Sequence, residues 1–191
     1  WINGKFLGNH PYGYTAFDYD ISSYLNPSGK PNVIAVKVKN EGQNSRWYSG
    51  SGIYRHVWLI QKQALSIAQN GICINTERIA DDNAVVSISS EIENKSGKST
   101  ASKLLINILD SDGKTVQTVD SQIKTISTGS EVFTQSISIP QPKLWSVETP
   151  NLYTAVIQLI ADGIVSDEVH TSFGVRTIHF DAKTGFLLNG K

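Results

Sequence analysis

Residues 84–93 have the sequence AVVSISSEIE, in which apolar side chains recur at alternate positions with one interruption at Ser90. A period of two places successive side chains on opposite faces of an extended chain, so this stretch predicts a half-buried β-strand. Turn-forming sequences rich in Asn, Asp, Gly and Ser separate it from similar runs, and no sustained 3.6-residue apolar period occurs. These runs are 32–39, 53–60, 65–75, 103–109, 115–126, 131–139, 152–160 and 164–173.

Seven of the runs lie between about residues 64 and 173, at the short and regular spacing typical of a β-sandwich of roughly 100 residues. Residues 1–62 differ, because they are richer in aromatic residues and glycine. They are interpreted as the back half of a second, larger sandwich, with one helical turn expected within 17–25. The sequence therefore predicts an all-β protein built from one whole sandwich and part of another.

The charge balance excludes several classes of partner. The 191 residues carry 17 basic and 17 acidic side chains, and no long basic block is present. Nucleic acids and acidic membranes attract clustered Lys and Arg, so neither is expected as a partner. No apolar stretch approaches the roughly 18 to 20 residues that cross a bilayer. The lack of Met and the start at Trp1 within a strand-like run favour an internal piece of a longer protein.

Metal and nucleophile chemistry finds little support in the sequence. The four histidines are far apart, the single Cys73 cannot form a disulfide within the chain, and no metal site is expected. The stretch Asp110-x-Asp112-Gly113 starts like a calcium loop, but Ser121 stands where that loop needs a bidentate Glu. The acidic residues are interpreted as turn and strand-face carboxylates. Asn94-Lys95-Ser96 matches an N-glycosylation sequon.

Four stretches, in this order, resemble the non-catalytic front of glycoside hydrolase family 2, and specifically its β-galactosidase branch. The first and second resemble the family's sugar-binding domain, the third its immunoglobulin-like domain, and the fourth the start of its catalytic (β/α)8 barrel. They are WING (1–4) with GYTAFDYDI (13–21), RWYSGSGIYRHVWL (46–59), PKLWSVETPNLY (142–153), and FGVRTI (173–178) with FLLNGK (186–191).

The resemblance implies a fold class and a division of the chain. An immunoglobulin-like β-sandwich at 63–174 is preceded by the C-terminal part of a jelly-roll, galactose-binding-like sandwich at 1–62. Residues 175–191 are expected to start the truncated catalytic barrel. Trp145 and Tyr153 are expected in the core and corner of the immunoglobulin-like domain.

The resemblance also implies a retaining exo-glycosidase, in which two barrel glutamates act as acid/base and nucleophile. A retaining mechanism needs two carboxyl groups roughly 5 to 5.5 Å apart. Both glutamates are expected downstream of Lys191, so this stretch is expected to contain no catalytic residue, to hold no cofactor and to be inactive alone. Its expected partners are its own catalytic barrel and, through the parent enzyme, a neutral carbohydrate.

The loop from Asn40 to Gly52 carries the candidate substrate-rim residues. Carbohydrate sites combine an aromatic platform with planar polar groups, and this loop supplies both kinds. The candidates are Asn40, Glu41, Arg46 and Trp47. The alternative is that Arg46 and Arg55 hold the sandwich against the barrel, with Trp47, Tyr48 and Tyr54 packed in the seam.

Two other functions remain open from the sequence. The parent enzyme is expected to be a β-galactosidase, with a β-glucuronidase or mannosidase as the alternative, because the barrel loops that define the sugar are absent here. The rival from another class is a stand-alone carbohydrate-binding or adhesion module. Homo-oligomer contacts and the cellular compartment are left open.

Overall fold

The computed structural model describes residues 1–42, 50–80 and 82–191. Contacts between residues divide the chain into two compact units, Trp1–Leu59 and Ile60–Lys191. No helix in the described ranges is long and apolar enough to span a lipid bilayer. The described part of the chain is all-β, as predicted, apart from a single-turn 3₁₀ helix at Ser22–Tyr24 that lies within the expected helical stretch.

The second unit contains ten strands in its described residues. In chain order they are β1 (Leu65–Ala80), β2 (Asn83–Asn94), β3 (Thr100–Leu109), β4 (Thr115–Asp120), β5 (Lys124–Ile126), β6 (Gly129–Pro140), β7 (Tyr153–Ala161), β8 (Ile164–Phe173), β9 (Ile178–Asp181) and β10 (Gly185–Leu188). The predicted run 115–126 is divided into β4 and β5 near Ser121, whose hydroxyl oxygen accepts a hydrogen bond from the Leu104 N–H at 2.8 Å.

The strands form two antiparallel sheets and a separate hairpin. One sheet has the order β1-β2-β6, and the other has the order β4-β3-β7-β8, with β5 also paired to β3. β9 and β10 pair only with each other among the described strands. The chain passes from one sheet to the other after β2, after β5 and after β6. Two antiparallel sheets joined by such crossing connections are typical of an immunoglobulin-like sandwich.

The core lies between the inner faces of the two sheets. Alternate residues of β2, β3 and β7 are buried, as their period of two predicts. Ile88, Ile106, Phe133 and Ile157 are all completely buried. Tyr153 is also buried, and its hydroxyl oxygen accepts a hydrogen bond from the Lys143 N–H at 2.8 Å. This bond fixes the connection between β6 and β7 as a tyrosine corner does, which confirms the expected place of Tyr153.

β1 carries a wide irregularity between Ile67 and Ile72. Asn70 takes a left-handed backbone conformation there, with φ of 57°. A Cβ on Gly71 would lie 2.8 Å from the Ala68 Cβ and 3.1 Å from the Glu91 carbonyl oxygen, so only glycine fits. The bulge bends β1 and lets its first residues reach β8, where the Asp167 carboxylate accepts a hydrogen bond from the Ile67 N–H at 2.9 Å.

The first unit differs from its prediction. The runs 32–39 and 53–60 form no strand in the described residues, and pairing is limited to isolated bridges of Ile2 with Lys5 and with Ile34. Val36 and Trp58 are 56% and 76% exposed, whereas Ile2 is completely buried. A strand needs a hydrogen-bonded neighbour and a covered face, and alternation alone supplies neither. The jelly-roll interpretation of residues 1–62 stays a prediction.

Candidate functional site

Two of the four substrate-rim candidates lie within the described residues. Asn40 and Glu41 are exposed in an irregular segment that follows residue 39. Arg46 and Trp47 fall outside the described residues. An amide beside a carboxylate can both donate to and accept from a sugar hydroxyl. Their role at a substrate rim stays a prediction.

Two stretches of the first unit that contain glycine and tyrosine, GYTAF at 13–17 and GIYR at 52–55, contact each other. The Tyr54 hydroxyl donates a hydrogen bond to the Gly13 carbonyl oxygen at 3.4 Å. The Arg55 guanidinium carbon lies 5.6 Å from the centre of the Tyr54 ring, within cation–π range. The structure therefore brings the GYTAF and GIYR stretches together. The packing of Tyr54 and Arg55 against a barrel remains a prediction.

Several carboxylates are engaged in holding turns. Asp110 accepts hydrogen bonds from the backbone N–H groups of Asp112 and Lys114 at 3.0 and 2.9 Å. Asp181 accepts from the backbone N–H groups of Lys183 and Thr184, and these bonds, with the Lys183 bond the larger cause, hold the pKa of Asp181 below its usual value. Across residues 1–42, 50–80 and 82–191, no group of three or more His, Cys, Asp or Glu side chains could hold a metal ion.

An exposed cluster of polar side chains lies on β7 and β8. Gln158 and Glu168 are paired across the two strands, and His170 follows Glu168 on the same face. The Glu168 carboxylate accepts a hydrogen bond from the Gln158 side-chain amide at 2.6 Å and contacts the His170 Nε2 atom at 2.8 Å. The hydrogen bond from the Gln158 amide is the larger cause that lowers the pKa of Glu168, and the contact with His170 is the next. His170 is thus a solvent-facing strand residue, as expected.

Replacing Gln158 with alanine is expected to raise the pKa of Glu168 towards its usual value of 4.5. Because the pKa of Glu168 is lowered in the folded protein, its ionised carboxylate stabilises the fold above about pH 4.5. That stabilisation is lost as the pH falls through the pKa of the folded state. NMR titration of the Glu168 carboxyl carbon measures the shift. Gln69→Ala on β1 is the control and should leave that titration unchanged; an unchanged titration in Gln158→Ala would contradict the assignment.

A shallow groove of about 550 Å³ lies beside His170. Its described lining contains Leu109, Leu152 and Asn151, and no Trp, Tyr or Phe. The Asn151 amide nitrogen is used to donate a hydrogen bond to the Leu144 carbonyl oxygen at 3.0 Å. Pyranose rings bind on aromatic platforms, so this groove lacks the feature that a sugar site needs.

The sequon residue Asn94 is part of the core. Its side chain is completely buried, and its amide nitrogen donates to the carbonyl oxygens of Lys98 and Ile126 at 2.7 and 2.9 Å. Its side-chain oxygen accepts hydrogen bonds from the Ser96 N–H and hydroxyl at 3.0 and 2.7 Å. A glycan on that nitrogen is incompatible with this fold. The sequon is a structural turn rather than a modification site.

Trp145 is half-buried and lies where the chain leaves β8. Its backbone N–H donates to the Val175 carbonyl oxygen at 2.9 Å, and the Arg176 guanidinium carbon is 4.7 Å from the centre of its ring. A Cβ on Gly174 would come within 2.7 Å of the Trp145 Cβ, so the chain passes directly against this residue. Trp145 therefore organises the end of the sandwich instead of filling its core, and sequence patterns did not predict this role.

Comparison with known proteins gives the family. The family model of glycosyl hydrolases family 2 matches residues 68–176, from the fourth residue of β1 to just beyond β8. Over its whole length the chain is 38% identical to beta-galactosidase BoGH2A of Bacteroides ovatus, of which it spans 22%.

Solved structures agree with this assignment. A family 2 member from Bacteroides cellulosilyticus matches the entire chain with 39% identity and a TM-score of 0.93, over 26% of that protein. The beta-glucuronidase of Bacteroides uniformis matches the entire chain with 31% identity and a TM-score of 0.84, over 24% of that protein. The chain thus spans about a quarter or less of these relatives, and it belongs to glycosyl hydrolase family 2.

Proposed function

We propose that the protein to which this chain belongs is a retaining β-glycosidase that releases terminal β-galactosyl groups from carbohydrates. The observation that carries the proposal is the similarity of the whole chain to a β-galactosidase at 38% identity. The motif that resembles the β-galactosidase branch, WYSGSGIYR at 47–55, supports the same sugar. The chain spans only 22% of that relative. Membership of the family is therefore shown for this chain, whereas the activity of the whole protein is proposed.

The role we assign to this chain is architectural. Asp110, Asp167 and Asp181 are engaged in turns and in the seam between β1 and β8. Catalysis with retention needs two carboxyl groups roughly 5 to 5.5 Å apart on either side of the anomeric carbon. We place that pair on the catalytic barrel, downstream of Lys191.

The division of the chain is part of the same proposal. Residues 1–62 are assigned to the sugar-binding jelly-roll domain, 63–174 to the immunoglobulin-like domain and 175–191 to the start of the barrel. Asn40, Glu41, Arg46 and Trp47 are proposed at the rim of the active site. Asn40→Ala and Glu41→Ala in the complete enzyme test this: sugar contact lowers kcat/KM with stability unchanged, whereas packing lowers stability instead.

A β-glucuronidase is the second candidate. It is supported by the match of the whole chain to the Bacteroides uniformis enzyme. A glucuronide carries a carboxylate where a galactoside carries a hydroxymethyl group, so an enzyme for glucuronides needs a cationic partner at that position. The two candidates therefore differ in which nitrophenyl β-glycoside, the galactoside or the glucuronide, the complete enzyme hydrolyses faster.

We expect the 191-residue chain to release no nitrophenol from any nitrophenyl β-glycoside, since the proposed catalytic pair is absent from it. The complete gene product should hydrolyse the β-galactoside faster than the β-glucuronide or β-mannoside. Faster release from the glucuronide would select the second candidate. Turnover by the 191-residue chain alone would refute the architectural role, and a complete protein that binds but never hydrolyses sugars would favour an adhesion module.

A further inference from the structure

Asn189 joins the segment that follows the sandwich to the loop before β7. The Asn189 side-chain amide donates a hydrogen bond to the Trp145 carbonyl oxygen at 3.0 Å. Its side-chain oxygen accepts from the Thr177 N–H at 2.9 Å, and its own backbone N–H donates to the Thr177 carbonyl oxygen at 2.9 Å. Asn189 therefore joins three points: the loop before β7, the chain just after β8, and the end of β10.

The backbone of Asn189 explains why this residue can reach both partners. Asn189 and Gly190 have φ values of 52° and 80° and form a two-residue turn. The backbone N–H and carbonyl groups of Leu188 and Lys191 bond to each other across it, at 2.8 and 3.1 Å. Two successive residues at positive φ make the tight turn in which Asn-Gly is preferred. The turn points the Asn189 side chain back towards Trp145.

The same tryptophan is fixed from its other side. Its backbone N–H bonds to the Val175 carbonyl, and its ring lies under the Arg176 guanidinium at 4.7 Å. Val175 is completely buried and belongs to the sandwich core. Trp145, Arg176 and Asn189, which we call the Trp145 clamp, thus connect the core to β9 and β10 through directional bonds.

We propose that the Trp145 clamp fixes the direction in which the chain leaves the sandwich and so positions the catalytic domain of the parent enzyme. The inference rests on the proposed function, because it assigns residues 175–191 and the region after them to that domain. Asn189 is then a positioning residue that never contacts the sugar. Displacing reacting groups by about 1 Å can cost up to a hundredfold in rate, so a clamp far from the chemistry can govern kcat.

Two substitutions at Asn189 separate its bonds. Asn189→Asp keeps the oxygen that accepts from Thr177 but removes the donor to the Trp145 carbonyl, and it tolerates positive φ. Asn189→Gly keeps the turn and removes both side-chain bonds. The matched control is Asn151→Asp, which removes a similar bond from an asparagine amide to a carbonyl of the same loop, that of Leu144, without touching β9 or β10.

The experiment uses the complete gene product and measures hydrogen exchange, melting temperature and steady-state kinetics. We expect both Asn189 variants to exchange faster than wild type over residues 178–191, with Asn189→Gly also faster at Thr177. On nitrophenyl β-galactoside, kcat should fall at least about tenfold, with Asn189→Gly more affected than Asn189→Asp, while KM and the melting temperature change little. Asn151→Asp should keep wild-type kcat and wild-type exchange over 178–191.

Three results would overturn the inference. Exchange over residues 178–191 that matches wild type in both variants would show that no clamp exists. Faster exchange with kcat within about twofold of wild type would show that the clamp positions nothing. Equal losses of kcat and melting temperature in the Asn151 control would indicate general destabilisation. If the wild-type protein hydrolyses no β-glycoside, the proposed function fails, and the exchange comparison alone supports or refutes the clamp.

Discussion

Replacing Phe133 with alanine is expected to destabilise the second unit by about 3–5 kcal/mol, among the largest losses that a single core substitution produces. Phe133 is the bulkiest completely buried side chain in the described residues, and it lies on the inner face of β6 opposite Ser90 of β2. Its ring also lies 4.8 Å from the Lys124 ammonium nitrogen, so β5 contacts it as well. Removing the ring leaves a cavity where both sheets meet.

Urea unfolding followed by far-ultraviolet circular dichroism measures this effect. The control is Val132→Ala, one residue away, whose side chain is 48% exposed on the outer face of β6. That variant should change the free energy of unfolding by no more than about 0.5 kcal/mol. A Phe133→Ala loss below about 1 kcal/mol would mean that the facing sheet does not pack on this ring.

The contrast between Phe133 and Val132 shows what alternation predicts well. In β2, β3 and β7 buried side chains alternate with partly exposed ones, and in β6 the buried residues Phe133, Ile137 and Ile139 alternate with mostly exposed ones. Each of these strands has a hydrogen-bonded neighbour and a facing sheet within the same 132 residues of Ile60–Lys191. Where pairing and cover are both supplied nearby, the local pattern decides the structure.

Residues 32–39 show the limit of the same reasoning. Their alternation is as regular as that of β2, yet Val33, Ile34 and Val36 are 63%, 62% and 56% exposed, and only Ile34 takes part in a bridge. Alternation of apolar and polar residues predicts which face of an extended chain should be buried, but it does not identify the segment that buries it. Tertiary partners decide whether such a run becomes a strand, and the local alternation of eight residues does not identify those partners.

The candidate site was less predictable than the fold for a related reason. Residues 186–191 stand out in the sequence by their resemblance to the barrel start, whereas the bond of Asn189 to Trp145 joins residues 44 positions apart. Short motifs encode local backbone shape, whereas such a contact depends on where two segments meet in space. Asn94 gave a clearer signal, since it continues the inward row of Ala84, Val86, Ile88, Ser90 and Ile92 along β2.

Replacing Asn94 with alanine is expected to lower the free energy of unfolding by about 2–4 kcal/mol, because it leaves several buried polar groups without a hydrogen-bond partner at once. The carbonyl oxygens of Lys98 and Ile126 lose their amide donor, and the Ser96 N–H and hydroxyl lose their acceptor. These bonds tie the turn between β2 and β3 to the end of β5. The side chain is completely buried, so water cannot replace them without opening the structure.

Asn94→Asp sharpens the test, since the carboxylate still accepts from Ser96 but donates nothing to the two carbonyl oxygens. We expect a loss at least as large as that of the alanine variant at neutral pH, because a buried negative charge then faces two carbonyl dipoles. Asn75→Ala on β1 is the control. The exposed Asn75 amide donates a hydrogen bond to the Cys73 sulfur at 3.4 Å, and its loss should change stability by less than about 0.5 kcal/mol. If the Asn94 variants unfold at the same urea concentration as that control, the four bonds contribute nothing, and Asn94 could be removed without loosening the corner where β2, β3 and β5 meet.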